Sequence, residues 1–577
     1  LPKYLLPAGD VDREKLAHRV TEIFLRDQIS SSFGLQQLDL FLTRILNTMN
    51  RQAKELHGER LHLLLSYDPQ KAITPLKPAK KLVYDIIHLG NKGLNLVKIL
   101  GHGLPVPPGF IITTEVFRCR DIVDHYPAAG KNYRERVATA LAALEKRARK
   151  SFGSPRNPLL LSVRSGSAIS QPGMMYSLLD VGINEEIVRG MIARTKNAWF
   201  GWDTYRRFLQ SYGMAFGLQR DDFDAIIEDA KTRYGVPYKK DLTGKQMNEV
   251  ALAYKSFLKE SGIEIKESPF EQLLVAIRKV LESWYAPKAE TYRKIMGISH
   301  DWGTAVTVQA MVFGNSSPFS GAGVFFTHNP RWRDDTVLLW GDFTPGNQGE
   351  DVVSGLVRTL PVSRRQAEVE DRDKDSTLET LFPDIYQSLR DWAKKLIYDR
   401  NWSPQEMEFT FEGPEKKALY FLQTRDMTIR ERKKVYSFDV TPDRADAFLG
   451  RGIGVSGGAM SGRVVFSLEE IEYWGKAEPD THLILIRSDT VPDDIMEIYK
   501  ANGLLTARGG STSHAAIVAH GLDKTCVVGF PDLICMEKDS ACSLSHRSLK
   551  SGDRISIDGM DGSVYLGAMQ IRERESL

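Results

Sequence analysis

Residues 503–521 constrain the fold of this chain more than any other stretch. An apolar segment, 503–507, is typical of a buried strand, and a glycine pair, a Ser/Thr cluster and a short helical segment, 515–520, follow it. Gly521 is a residue type that commonly ends a helix. A strand that turns directly into a helix in this way is typical of an α/β domain.

His514 falls in the first turn of this predicted helix. Backbone N–H groups lack partners there, and the positive end of the helix dipole disfavours imidazolium while it favours a bound phosphate. A neutral, exposed imidazole at that position is a candidate phosphoryl acceptor. On spacing alone, a polar residue beside a helix cap fits equally well.

Composition limits the classes of function. The 577 residues are 42% hydrophobic and 26% charged, which is ordinary for a globular chain and enough for roughly three or four domains. The net charge of +3 gives no support for a nucleic-acid or membrane-surface partner. The four cysteines form no CxxC pair, so we interpret them as buried thiols in a reducing cytoplasm: Cys119, Cys526, Cys535 and Cys542.

The ends of the chain carry little targeting information. No apolar run approaches the ~20 residues that span a bilayer, and no signal-peptide pattern opens the sequence. The first residue is Leu1 rather than methionine, from which we expect a piece of a longer protein. Two amphipathic helices are predicted within 11–56, in a helical extension over residues 1–80. Their apolar faces either pack on the neighbouring domain, which is the commoner outcome, or form an oligomer or regulatory surface.

From residue 81 to residue 430 the pattern mixes short strands, glycine turns and a helical insertion at about 185–300. The glycine loop 88–93 presents Lys92 beside the N-terminus of a helix over 94–100, an arrangement suited to an anionic phosphate. Arg164 ends a predicted strand, where it either clamps a phosphate or forms a structural ion pair. No GxxxxGK[ST] loop occurs. Aromatic and basic residues of the insertion, such as Arg206 and Arg207, are interpreted as packing.

A predicted hairpin, 405–411 with 418–425, is the most informative local pattern. Strand alternation puts Glu406 and Glu408 on one face, and it gives Gln423 and Arg425 a common face on the return strand. Two carboxylates, an amide and a guanidinium suit a magnesium-nucleotide site. A solvated sheet face with surface salt bridges is the alternative, and the pattern alone favours it modestly.

The last part of the chain is predicted as a compact α/β domain over 448–570, after a linker at 431–447 and before a tail at 571–577. Residues 452–457 match GxGxxG formally. We reject a dinucleotide site there, because a helix-like segment precedes the motif and a strand-like one follows, the reverse of the required order.

Taken together, the ordered motifs resemble the pyruvate phosphate dikinase and phosphoenolpyruvate synthase family over roughly residues 85–570. Residues 509–516, GGSTSHAA, resemble its phosphohistidine signature, and residues 524–527 resemble the dikinase more than the synthase. The other motifs that carry the resemblance are 91–93 with 104–110, 162–166, 172–175, 348–353 and 422–425. The resemblance implies an α/β and α+β multidomain fold, with an ATP-grasp nucleotide domain followed by a swivelling β/β/α phosphohistidine domain.

The resemblance also implies residue roles. His514 would attack the β-phosphoryl group of ATP and release AMP, and the γ-phosphoryl group would pass to phosphate or water. Magnesium would bind at Glu406 and Glu408. The implied ATP-binding residues are Lys92, Arg164, Gln348, Glu350, Gln423 and Arg425. Thr512 matches a regulatory phosphorylation position of plant dikinases, although helix capping is the better supported role for it.

Departures from the family pattern concern details of nucleotide geometry. Asn91 replaces a usual glycine, Glu406 stands where aspartate is common, and Gln171 precedes Pro172 where methionine is frequent. The barrel that binds pyruvate in the family would need about 250 further residues. We therefore expect the acceptor to lie on a missing C-terminal domain or on a separate subunit.

Two other functions stay open. One keeps the same histidine phosphorylation and changes the acceptor to a phenol, a glucan or an antibiotic. The other is a non-catalytic nucleotide sensor or scaffold whose helical extension binds a partner. In each case we expect a cytoplasmic protein with no nucleic-acid or membrane partner, and a homo-oligomer is compatible with the pattern.

Overall fold

The computed structural model describes residues 13–30, 42–48, 67–78, 85–169, 171, 173–330, 336–353, 359–427, 435–438, 447–490, 494–510 and 513–574. The chain divides into two compact units. The first comprises Leu1–Pro69 and Cys119–Asn132, and the second comprises Gln70–Arg118 and Tyr133–Leu577. The described residues form a mixed α/β multidomain chain, as the sequence predicts.

Two helices of the first unit match the predicted N-terminal pair. They are Arg13–Ser30 and residues 42–48, and the Arg26 guanidinium donates a 2.9 Å hydrogen bond to the Thr43 hydroxyl between them. Ile23 and Phe24 on the first of these helices are exposed. An oligomer surface at these side chains stays a prediction.

The second unit contains a five-stranded antiparallel sheet, called here the first sheet. In spatial order its strands are Ile73–Leu76, Gly109–Ile112, Ala305–Ala310, Leu161–Gly166 and Ser177–Val181. The helix Ile86–Gly101 packs on this sheet and begins at Asp85, whose carboxylate accepts from the N–H groups of the first turn. The strand Ile73–Leu76 lies inside the stretch predicted as a helical extension, 1–80, and pairing with Gly109–Ile112 overrides the local pattern there.

A second five-stranded antiparallel sheet, called here the second sheet, carries the predicted hairpin. In spatial order its strands are Leu360–Pro361, Trp340–Pro345, Gly321–Phe326, Gln405–Phe411 and Leu419–Asp426. Apolar side chains of this sheet, including Phe343, Phe409 and Phe411, pack with Phe382 and Leu389 of the following helices. The hairpin therefore has one face in the core and one face free for polar groups.

Residues 185–300, the stretch of the predicted insertion, are mostly helical. The helices there are Glu185–Thr195, Ala198–Ala215, Arg220–Tyr234, Gly244–Glu260, Pro269–Glu282 and Pro287–Ile295. Other α-helices described between residues 102 and 394 are Thr114–Arg118, Arg120–His125, Pro127–Ala148, Gly349–Val353, Arg364–Val369, Leu378–Leu381 and Pro383–Lys394, and a π-helical turn, Lys395–Asp399, follows the last of them. A short parallel pair joins Ser151–Phe152 to Pro158–Leu159.

The C-terminal part is built on an eight-stranded mixed sheet. In spatial order its strands are Phe448–Arg451, Ser563–Leu566, Arg554–Asp558, Ala459–Val465, Leu483–Arg487, Gly503–Thr506, Thr525–Val528 and Ile453–Ser456. Its helices are Leu468–Ala477, Ile495–Lys500 and His514–Gly521. A three-stranded sheet, Leu533–Met536, Ala541–Leu544 and Arg547–Lys550, accompanies it.

Two predicted irregular segments contain strands. Val435–Phe438 lies within the predicted linker and pairs antiparallel with Ile571–Arg574, which lies within the predicted tail. The helix-like reading of 445–449 is also wrong in part, because Phe448–Arg451 is a strand. These strands form because they pair with segments distant in the chain, and the local sequence does not indicate that pairing. Within the described part of the chain, no helix is both long enough and apolar enough to cross a bilayer.

Candidate functional site

A cavity of about 400 Å³ is lined by strands of both the first and the second sheet. It brings together seven of the residues singled out by sequence: Lys92, Arg164, Gln348, Glu350, Glu408, Gln423 and Arg425. Glu406 does not line the cavity itself but contacts Arg425, which does. Residues that are more than 300 positions apart in the chain therefore meet at one place.

Lys92 is placed by a sharp kink rather than by an open glycine loop. Helix Ile86–Gly101 runs through the predicted loop and is interrupted only at Gly90, whose φ of 67° and ψ of 167° are not helical. The Asn91 N–H donates a 2.9 Å hydrogen bond to the Ser167 carbonyl. The kink at Gly90 lies two residues before Lys92. It therefore anchors this helix to the segment that follows Arg164.

Asn91, the departure from the family glycine, has a positioning contact of its own. Its side-chain oxygen accepts a 2.8 Å hydrogen bond from Asn95, and Asn95 also donates to the Thr424 carbonyl at 3.1 Å. This chain of bonds connects the Lys92 helix to the strand that carries Gln423 and Arg425. Another departure, Gln171, also lines the cavity.

The hairpin register agrees with the prediction. Glu406 lies opposite Arg425 and Glu408 opposite Gln423, with a bulge between Glu408 and Phe409. Arg425 contacts the Glu406 carboxylate at 2.5 Å, and Arg164 lies 3.6 Å from the Glu408 carboxylate. Arg164 occurs within its strand rather than at the end of it, so its clamp and ion-pair interpretations are both compatible with the observed contact.

Charge and burial perturb the cations of the cavity. Burial and the neighbouring Arg164 guanidinium lower the pKa of Lys92 to about 8, while the Glu408 carboxylate opposes the shift. Burial also disfavours the charged form of Arg425, but the Glu406 and Glu408 carboxylates outweigh it and raise the pKa of that group. A polyanion that enters the cavity meets Lys92 and two arginines, Arg164 and Arg425, that carboxylates already contact.

The donor set fits a magnesium ion that arrives with a nucleotide. Among the described residues no group of three or more His, Cys, Asp and Glu side chains is arranged to hold a metal. Mg²⁺ typically takes one or two protein carboxylates and completes its octahedron with phosphate oxygens and water. Glu406 and Glu408 offer that number of carboxylates, beside cations that suit the phosphates.

Gln348 and Glu350 lie at the start of helix Gly349–Val353, with Gln348 directly before its first residue. The Gln348 amide accepts from the Gly314 N–H at 2.8 Å and donates to the Val312 carbonyl at 3.3 Å. Both of its polar atoms thus hold the backbone of the cavity wall. Glu350 is 52% exposed and lies 3.8 Å from Arg207. A direct ATP contact by Gln348 or Glu350 stays a prediction.

A buried ion network lies beside the cavity, and it contains Arg206 and Arg207, which the sequence indicates only as packing residues. The Arg207 guanidinium donates to both oxygens of Asp351, at 3.0 and 2.5 Å, and to Asp203 at 2.9 Å. Arg206 donates to the other oxygen of Asp203 at 2.8 Å. Although burial opposes ionisation of Asp203, these guanidinium groups hold its pKa well below the usual range. The sequence signal was an aspartate three and four residues before two arginines on one helix.

Helix His514–Gly521 begins at the residue singled out as the phosphoryl acceptor. Ser513 is its N-cap and accepts from the Ala516 N–H at 3.4 Å. Gly521 is the last helical residue rather than the residue that follows the helix. Thr512 lies outside the described residues, and so do its capping and regulatory interpretations.

This helix also faces the cavity. Ile517 lines the cavity, and position 514 lies on the same helix face because it precedes Ile517 by three residues. The loop before the helix approaches the second sheet closely, since a Cβ on Gly510 would lie 2.9 Å from the Asp342 carboxylate. The helix face that carries Ile517 therefore borders the cavity.

Two family models match the chain. "Pyruvate phosphate dikinase, AMP/ATP-binding domain" matches residues 129–377, and "PEP-utilising enzyme, mobile domain" matches residues 479–562. The first contains Arg164 and Gln348, and the second contains His514.

Curated relatives of the chain are named pyruvate, phosphate dikinase, like the first of these family models. The chain is 36% identical over 518 residues to "Pyruvate, phosphate dikinase" of Giardia intestinalis, which is 84% of this chain and 56% of that protein. It is 35% identical over 520 residues to that of Clostridium symbiosum, 84% of this chain and 57% of the relative. With "Pyruvate, phosphate dikinase, chloroplastic" of Flaveria pringlei it shares 36% over 516 residues, 83% and 51% of the two chains.

The matched residues thus span about half the length of these relatives. With both family models matched in order and more than a third of the aligned positions identical to the first relative, the chain belongs to the pyruvate phosphate dikinase family.

Proposed function

We propose that this chain is the nucleotide-binding and phosphohistidine portion of a pyruvate phosphate dikinase. In this proposal His514 takes the β-phosphoryl group of ATP, AMP leaves, and the phosphohistidine serves a further acceptor. The observation that carries the proposal is a single cavity lined by Lys92, Arg164 and Arg425 together with Ile517 of the helix that begins at His514.

The physical basis is positioning and charge neutralisation, which dominate phosphoryl transfer. Lys92, Arg164 and Arg425 would bind the polyphosphate, and Glu406 and Glu408 would hold Mg²⁺, which supplies further neutralisation of phosphate charge. Because the positive end of a helix dipole disfavours imidazolium, His514 at this position would keep the nitrogen lone pair that the transfer needs.

The step balances as a displacement at phosphorus. A bond forms between the His514 nitrogen and the β-phosphorus, the bond from that phosphorus to the α-phosphate oxygen breaks, and AMP departs with the electron pair. The γ-phosphoryl group then moves to inorganic phosphate or to water. The name of the relatives favours phosphate as this acceptor and pyruvate as the final one.

The proposed domain organisation follows the same logic. Residues 81–430 would form an ATP-grasp nucleotide domain with the helical insertion, and residues 448–570 a swivelling phosphohistidine domain. The pyruvate site would lie on sequence that the relatives carry beyond the matched half, or on another subunit. A swivel is required because one histidine must reach both the nucleotide and the final acceptor.

Incubation with β-³²P-labelled ATP and Mg²⁺ tests the first half-reaction. We expect acid-labile label on the wild type and on His482→Ala, an exposed histidine of the same matched domain, and none on His514→Ala. Removal of the metal with EDTA should abolish labelling. A His514→Ala protein that is labelled like the wild type would show that the acceptor is a different residue.

Label in the γ-position separates the two possible acceptors of the second phosphoryl group. If inorganic phosphate is the acceptor, γ-label appears as pyrophosphate only when phosphate is added. If water is the acceptor, γ-label appears as free phosphate whether or not phosphate is added. Release as free phosphate alone would replace the dikinase proposal with synthase chemistry.

A further inference from the structure

One side of the cavity is formed by residues that the proposed ATP contacts do not include. Arg220, the first residue of helix Arg220–Tyr234, lines it from the AMP/ATP-binding match, and Thr490 lines it from the mobile-domain match. Ile517 lines it from the same match as Thr490. The cavity is therefore completed by two matched domains and belongs to neither alone.

Thr490 has an unused polar group in this wall. Thr490 is only 3% exposed, and among the described residues its hydroxyl has no hydrogen-bond partner. Its backbone N–H is satisfied by the Asp489 carboxylate at 2.8 Å. Buried hydroxyls nearly always have partners, so an unpaired one beside a cavity points to a ligand that supplies the missing partner.

The Arg220 guanidinium also has hydrogen-bond donors without a close acceptor among the described residues. Its side chain is 20% exposed, and the described acid nearest to it, Asp224, lies 3.8 Å away, well beyond the 2.7–2.9 Å of a charge-assisted hydrogen bond. Within the described part of the chain no group accepts a hydrogen bond from its guanidinium. A guanidinium held near a cavity with free donors is suited to phosphate oxygens.

The surrounding charges support the same interpretation. Burial raises the pKa of Asp489, while Arg220 and Arg508 oppose the shift. Burial also raises the pKa of Asp224, again against Arg220 and Arg508. Two acids and two arginines from the two matched domains thus share one partly buried region, and an anion in the cavity would add a partner for the arginine that lines it.

We propose that Thr490 and Arg220 form a phosphate-binding subsite of the cavity that takes a β- or γ-phosphate of the nucleotide. The subsite rests on the proposed function. The guanidinium donates to phosphate oxygens from one domain, and the hydroxyl donates from the other. ATP then bridges the two domains, whereas AMP, which lacks these phosphates, leaves the bridge unmade.

Equilibrium binding to the full chain tests the subsite without turnover. The probes are AMP and an ATP analogue with a methylene bridge between the α- and β-phosphates, which cannot release AMP. We expect Thr490→Val and Arg220→Met to weaken analogue binding about tenfold, as for loss of a hydrogen bond to a charged group, and AMP binding less than about twofold. Thr490→Ser, which keeps the hydroxyl, and the exposed control Arg233→Met should resemble the wild type.

Thermal unfolding separates a ligand role from a structural one. Because no described residue is a hydrogen-bond partner of the Thr490 hydroxyl, Thr490→Val should keep the thermal midpoint of the wild type. A lower midpoint, equal weakening of both nucleotides or weakening of neither overturns the subsite. Labelling of wild-type His514 in the same preparation leaves the proposed function intact in each of these cases. A wild type that binds neither nucleotide and takes up no label overturns both.

Discussion

Substitution of Gly90 by alanine tests how the cavity is built. The backbone at Gly90, φ 67° and ψ 167°, lies in a region that is essentially restricted to glycine and costs other residues about 1–3 kcal/mol. A Cβ there would also lie 1.8 Å from the Gly166 carbonyl oxygen, although Cβ contacts under 3.0 Å essentially never occur. The two backbones must therefore separate by at least 1.2 Å, the difference between these distances.

That separation removes a defined contact. The hydrogen bond from the Asn91 N–H to the Ser167 carbonyl, 2.9 Å long, bridges the same two segments, and its loss adds about 0.5–1.5 kcal/mol. The sum is about 1.5–4.5 kcal/mol. For a domain of about 350 residues, with an unfolding entropy of about 2.1 cal/mol/K per residue, the corresponding fall in the midpoint of thermal unfolding is roughly 2–6 °C.

Circular dichroism melts of Gly90→Ala and Gly101→Ala measure this difference. Gly101, at the other end of the same helix, has open space around its Cβ position, so alanine there should be neutral or slightly stabilising. Gly90→Ala should also weaken ATP binding, because Lys92 follows the kink by two residues. Equal midpoints for Gly90→Ala and the wild type would refute the proposed role of the kink.

Two other predictions concern charge. Arg207→Met should lower the free energy of unfolding in urea by about 3–5 kcal/mol, because it leaves buried Asp203 and Asp351 short of a cation; a loss under about 1 kcal/mol would contradict a tightly coupled network. The ATP affinity of the wild type should fall as pH rises from about 7 to about 9.5, because Lys92, with its pKa lowered to about 8, loses the charge that phosphate favours. Titration calorimetry of Lys92→Arg should show a flatter pH profile, and Lys98→Met should keep the wild-type slope, since Lys98 is exposed on the same helix.

The local sequence predicts the structure correctly wherever contacts between residues close in the chain determine the geometry. The hairpin that carries Glu406 and Glu408 was predicted because alternation and a turn determine register over a few residues. The start of the helix at His514 was predicted within one residue, because glycine and serine before an alanine-rich run act on the adjacent backbone. The helical insertion was recognisable for the same reason.

Local sequence patterns do not predict which residues are buried or which distant residues they contact. Arg207 appeared as a packing residue because its acid partner Asp351 lies 144 positions away. The strands Val435–Phe438 and Ile571–Arg574 appeared as a linker and a tail, since each has its partner at the other end of the domain. The backbone N–H and C=O groups of a strand edge can pair with any strand that folding brings beside them. The local sequence pattern therefore does not identify the partner strand.

By itself the sequence determined which chemical groups the chain possesses, and their order: a histidine at a helix start, cations and carboxylates on predicted strands, and the family to which such a series belongs. Only the tertiary structure decided that Lys92, Arg164, Glu408 and Arg425 surround one cavity, and that Thr490 and Arg220 complete it. The reason is physical. Composition and spacing act through the local backbone, whereas burial, pKa and the satisfaction of polar groups depend on neighbours that only folding brings together.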